Sequence, residues 1–91
     1  MAVVVVTLKI MPDSPDTNLD SLAESATEKI AAFGGKVGRT IVEPVAFGLK
    51  SLTLLFTMQE DKGSTDSLET DISQIEGVTS VQVTDVRRVV G

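Results

Sequence analysis

From Leu52 to Met58 every second residue is large and apolar, Leu52, Leu54, Phe56 and Met58, while Ser51, Thr53, Thr57 and Gln59 take alternate positions. A period of two over this length is the mark of a β-strand with one buried face. Such a strand is not stable alone. It needs paired neighbours and a second layer over its apolar side, and the rest of the chain must supply both.

The neighbours are found by the same pattern. Val3 to Met11 places Val4, Val6, Leu8 and Ile10 on one side and Thr7 and Lys9 on the other. Residues 36–43 and 49–59 are two more strands. Between them Pro44 cannot donate to a ladder and Gly48 permits unusual backbone angles, so Glu43 to Gly48 is predicted to join them as an antiparallel hairpin. Val78 to Val86 sets Val81 and Val83 against Ser80, Gln82 and Thr84, a fourth strand running to Arg87 and Arg88.

The second layer comes from two helices. Pro12 to Asp16 breaks the first strand, and Thr17 with Asp20 resembles a capping pair. Leu19, Leu22, Ala23, Ala26 and Ile30 then recur at helical spacing until Gly34 and Gly35. Ser64 to Ile75 carries Leu68, Ile72 and Ile75 on one face and stops at Gly77. The order is βαββαβ. Two helices with one apolar stripe each must cover the same face of the sheet, which predicts an α+β ferredoxin-like sandwich with a four-stranded antiparallel sheet. The other face is expected to be solvated, with Thr7, Lys9, Ser51, Thr53 and Thr57 beside Val3, Val5 and Leu55. At 91 residues the chain holds one core, a single domain over 1–91.

Cysteine and histidine are both absent. That removes thiolate and imidazole ligands, Cys nucleophiles and the usual neutral-pH general base. Asp13 with Asp16, or Glu60 with Asp61, offers a carboxylate pair for acid–base work or a cation, but each pair sits in a polar loop beside a helix start, where acids favour the helix dipole and solubility. Gly34-Gly35 lacks the Lys and Ser/Thr of a phosphate loop. No enzymatic activity, metal, cofactor or bound nucleotide is therefore expected of the isolated chain.

The formal net charge of -5 opposes broad attraction to nucleic acid. Nor is there a stacking platform, because Phe56 points into the core. Residues 12–30 hold five acids and one base, and residues 59–76 six acids and one base, which predicts acidic helices and a mildly basic remainder. The apolar run Val3 to Val6 has no basic segment before it, and no stretch approaches the ~20 apolar residues of a membrane span. A soluble, cytoplasmic location is expected.

One segment is not accounted for by the core pattern: Pro44-Val45-Ala46-Phe47-Gly48-Leu49-Lys50 puts an aromatic in a turn between Pro and Gly. Phe47 either folds back on the end of the core or projects as an anchor into a partner's pocket.

Here the chain resembles a known family, the guanine-nucleotide exchange domain of elongation factor 1-beta in its short archaeal form. The likeness spans residues 3–89. It is carried by Val6-Thr7-Leu8-Lys9-Ile10-Met11-Pro12, the hairpin from Pro44 to Leu52, Glu60-Asp61-Lys62-Gly63, Ile75 to Val83 and Asp85-Val86-Arg87-Arg88. The resemblance implies a partner, the GTPase elongation factor 1-alpha, whose GDP the domain releases. It also implies that Phe47, with Gly48 and Lys50 around it, enters the GTPase's second domain, and that Arg88 reaches its magnesium and phosphate region. Eukaryotic members end in a lysine followed by one apolar residue, whereas Arg88 precedes Val89, Val90 and Gly91. They also add N-terminal regions and a tryptophan after the first strand. A free-standing exchange domain is thus expected. The rival of a different class is a small-molecule-sensing regulatory domain of the same fold, which would be stabilised by a ligand and leave GDP release untouched.

Overall fold

The computed structural model describes residues 3–45, 48–60 and 65–89. Its elements are β1 (Val3–Pro12), α1 (Leu19–Phe33), β2 (Lys36–Pro44), β3 (Lys50–Gln59), α2 (Asp66–Ser73) and β4 (Val78–Val89). The four strands form one antiparallel sheet in the order β2-β3-β1-β4. Each helix thus connects strands that are separated in the sheet by one other, the split arrangement expected from βαββαβ.

Strand alternation decides what is buried. Val6, Leu8 and Ile10 of β1 lie opposite Phe56, Leu54 and Leu52 of β3. All six are at most 1% exposed and share one cluster with Leu22, Ala26 and Ile30 of α1 and Leu68 and Ile72 of α2. Both helices therefore cover the same face of the sheet. The ferredoxin-like α+β architecture follows.

Local chemistry sets the helix ends, and at two of them it differs from the sequence expectation. α1 is capped by Asn18, whose Oδ1 accepts from the Ser21 N–H at 3.1 Å. Thr17 instead donates its hydroxyl to Asp13 Oδ1 at 3.2 Å, which tightens the loop before the helix. Asn18→Ala is expected to cost about 1 kcal/mol in urea unfolding, the usual worth of such a cap. At the far end Gly34 adopts φ 105°, and its N–H reaches the Ile30 and Ala31 carbonyls. Gly35 is required for space: a Cβ there would come within 2.8 Å of Ile30 Cγ2 and 3.0 Å of Phe56.

α2 is shorter than the predicted 64–75, of which Ser64 lies outside the described residues. Thr65 stands at its N-cap position without a side-chain bond to the helix backbone, its hydroxyl donating instead to Glu69 Oε2 at 3.2 Å. After Ser73 the chain tightens, with the Ile75 N–H on the Ile72 carbonyl at 3.0 Å, and Gly77 turns it at φ 96° into β4.

On the open face two expected solvated residues are buried. Ser51 is 1% and Thr53 7% exposed. Both are short side chains on an inner strand. Thr53 lies between Lys9 of β1 and Ile41 of β2, whose longer side chains shield it, and Ser51 donates its hydroxyl to the Glu43 carbonyl at 3.4 Å.

Candidate functional site

The two ends of the sheet carry the residues singled out in the sequence. At one end Pro44 of β2 pairs with Lys50 of β3, closing the hairpin. The Val45 N–H donates to the Leu49 carbonyl at 2.8 Å, and Gly48 takes φ 76°, the left-handed region that glycine enters without steric cost. Ala46 and Phe47 lie outside the described residues. Lys50 is exposed. It is in the same alternation as Leu52, hence on the helix side, and borders a hollow with Pro12 of β1 and Pro15 and Asn18 of the β1–α1 connection.

At the other end is Arg88. The expected fourth strand ended at Val86, but β4 continues to Val89, so both arginines are in the ladder. Their directions are set by a bulge. Val83 lies opposite Leu8 and Asp85 opposite Thr7, leaving Thr84 as an extra residue in β4. One extra residue reverses the faces of everything beyond it. Arg88 is consequently opposite Val4, on the helix side, and Arg87 is opposite Val5, on the open side.

Each arginine has its own carboxylate. Arg87 Nε donates to Asp85 Oδ2 at 2.8 Å, two residues back on the same strand. Arg88 Nη2 donates to Glu60 Oε1, reaching past β1 to the end of β3. Glu60 was grouped with Asp61 as a solvated acid, and its partner was missed by sequence reasoning; Asp61 lies outside the described residues. Asp13, of the other acidic pair, is occupied with Thr17. Among the described residues no three acidic side chains gather as a metal site.

The structure does not bring Lys50 and Gly48 together with Arg88. They stand at opposite ends of β3, and ten strand residues at about 3.3 Å each separate the ends by roughly 30 Å. The described residues span 42 Å by 21 by 18 Å. Between the ends, the helix layer displays Asp20, Glu24, Glu28, Asp66 and Asp71, all exposed, whereas Lys36, Arg39 and Arg87 are exposed on the sheet. Charge is thus divided as the acidic blocks of the sequence predict. Among the described residues, no helix is long and apolar enough to cross a membrane.

Solved structures share the fold. The C-terminal domain of the MgtC protein from Mycobacterium tuberculosis matches with a TM-score of 0.67 at 11% identity, over 96% of this chain and 88% of that one. The ACT domain from GTP pyrophosphokinase of Chlorobium tepidum matches with a TM-score of 0.58 at 18% identity, over 87% of this chain and 95% of that one. At such identities the likeness speaks for the fold alone.

Sequence relatives are more specific. The chain is 41% identical over 88 residues to elongation factor 1-beta of Methanothermobacter thermautotrophicus, covering 97% of this chain and 98% of that protein. It is 40% identical to elongation factor 1-beta of Sulfurisphaera tokodaii, covering 97% of each, and 38% identical to that of Halobacterium salinarum, covering 97% and 99%. The model of the EF-1 guanine nucleotide exchange domain matches residues 5–89. That match takes in all of α1, β2, β3, α2 and β4 and most of β1, and the chain belongs to the EF-1 guanine nucleotide exchange domain family.

Proposed function

We propose that this domain promotes GDP release from elongation factor 1-alpha, so that GTP rebinds during translation elongation. The observation that carries the reading is the family match over residues 5–89, nearly the whole of a chain with one core. The setting is the cytoplasm, and the partner is the GDP-bound or nucleotide-free GTPase.

The chemistry is linkage and needs no covalent step, so no enzymatic residue is assigned. A factor that binds the empty GTPase more tightly than its GDP form weakens GDP by the same ratio. An elongated domain suits this task. Docking at the hairpin end, through Phe47, Gly48 and Lys50, supplies binding free energy, while Arg88 about 30 Å away acts on the magnesium and phosphate contacts that hold the nucleotide. Free energy gained at one end thereby offsets disruption at the other. Arginine here presents a planar fork rather than the point charge of a lysine, and so can take two phosphate oxygens at once.

The direct test loads elongation factor 1-alpha with fluorescent GDP, adds excess GTP, and follows the signal with and without this protein. Acceleration that saturates with its concentration is the expected result; an unchanged rate defeats the proposal. In the same assay Arg88→Ala should slow the maximal rate about tenfold or more, the loss of one charge-assisted contact worth ~1.5 to 3 kcal/mol, while the half-saturating concentration changes little. Parent and mutant curves that superimpose would leave Arg88 as a surface residue.

A further inference from the structure

Glu60 and Arg88 are 28 residues apart in the sequence, Glu60 directly after the end of β3 and Arg88 in β4, two strands that do not touch because β1 lies between them. We infer that Glu60 is a positioning residue for Arg88, tying one arm of the guanidinium at the end of the sheet so that the rest of the fork is presented to an anionic group of the docked partner. The inference rests on the exchange reading above.

The contact is single-pointed. Among the described residues only Nη2 is engaged, and Nη1 and Nε take no carboxylate. A guanidinium has five N–H donors, so donors remain for a phosphate or carboxylate oxygen. Arg87 offers the contrast, being held by Asp85 on its own strand and on the other face. Glu60 anchors Arg88 to the residue that follows β3, on the far side of β1, and so ties the guanidinium to more than its own strand.

The pair has little to contribute to the fold. Its side chains are 60% and 42% exposed, and an ion pair so open to water adds little stability. The ladder already places Arg88 opposite Val4 without it. What it does restrict is a long side chain with large rotamer entropy, and a group ordered before docking loses less on docking. The competing physical picture is a latch, in which Glu60 neutralises Arg88 and has to be displaced.

Maximal GDP-release rate, half-saturating concentration and melting temperature would be measured on Glu60→Gln, Arg88→Ala and the double variant, all as full chains. Glu60→Gln keeps the size and removes the charge. It is expected to lower the maximal rate about two- to fivefold, the range an exposed ion pair commands, with melting unchanged. In the Arg88→Ala background the same substitution should do nothing further. If Glu60→Gln accelerates exchange, the contact is a latch and the inference is overturned. It is equally overturned if the rate is unmoved, or falls as much without Arg88. If Arg88→Ala itself leaves the rate at the parental value, the role of Arg88 has failed first and Glu60's falls with it, whereas slowed exchange by Arg88→Ala alone spares the exchange reading.

Discussion

Phe56→Ala should cost about 3 to 5 kcal/mol of folding stability, the range for a buried Phe truncated in a core that cannot collapse around it. Phe56 is 1% exposed on β3 and lies opposite Val6 of β1 and Val37 of β2, so ladder pairing on both sides holds the backbone in place. Above it, Gly35 packs so closely that even a methyl group would meet the ring at 3.0 Å. A site clamped from three directions keeps its cavity. For a domain with ~5 to 15 kcal/mol in total, such a loss is more than half at the lower end of stability. The melting temperature should fall by at least about 12 °C. A loss below 1 kcal/mol in urea unfolding would show that the core relaxes in a way that this packing does not allow.

The same residue illustrates what the sequence makes legible. Alternation from Leu52 to Met58 and from Val4 to Ile10 states which side of each inner strand is buried, and those residues are the sheet half of the core. The signal is strong because both strands pair on two sides, so their inward residues have no route to water. Edge strands obey it less. In β4 the apolar residues Val81, Val83 and Val86 break parity between 83 and 86, which is the trace of the bulge at Thr84, yet Val86 is 56% exposed and carries little hydrophobic weight. Reading a continuous strand there places Arg87 and Arg88 on the wrong faces.

Capping was ambiguous for a different reason. Thr17 and Asn18 are both good cap residues, and only the hydrogen bond from Thr17 to Asp13 in the folded loop decides between them. Burial of Ser51 and Thr53 depends on which neighbours flank them, not on their own polarity. Glu60 was beyond local reading altogether. Its pairing with Arg88 emerges only when β3 and β4 are both registered on β1, which brings the ends of non-adjacent strands to the same corner. The candidate site was therefore legible as two separate motifs, and its division between opposite ends of the sheet was not.

That division gives the hairpin end its own test, and Phe47→Ala is the counterpart of Phe56→Ala. Phe47 sits between Pro44, which ends β2, and Gly48, whose φ of 76° turns the chain back toward β3. The strand alternation that drives Phe56 inward stops before it, since the ladder closes at the pair Pro44 and Lys50. An aromatic between Pro and Gly in the sequence either covers the end of the core or serves as an anchor, and the exchange reading assigns it the second role. Truncating an interface anchor typically costs ~2 kcal/mol or more of binding, equivalent to about a thirtyfold loss of affinity. The expected mutant thus melts near the parental temperature and needs roughly thirty times more protein for half-maximal GDP release, while its maximal rate, which the exchange reading assigns to the Arg88 end, stays close to parental. Phe56→Ala should show the reverse: a large fall in melting temperature and, at temperatures where it is still folded, ordinary half-saturation. A Phe47→Ala protein that melts as low as Phe56→Ala would place the ring in the core, and one that docks at parental concentrations would remove it from the interface; either result defeats the anchor.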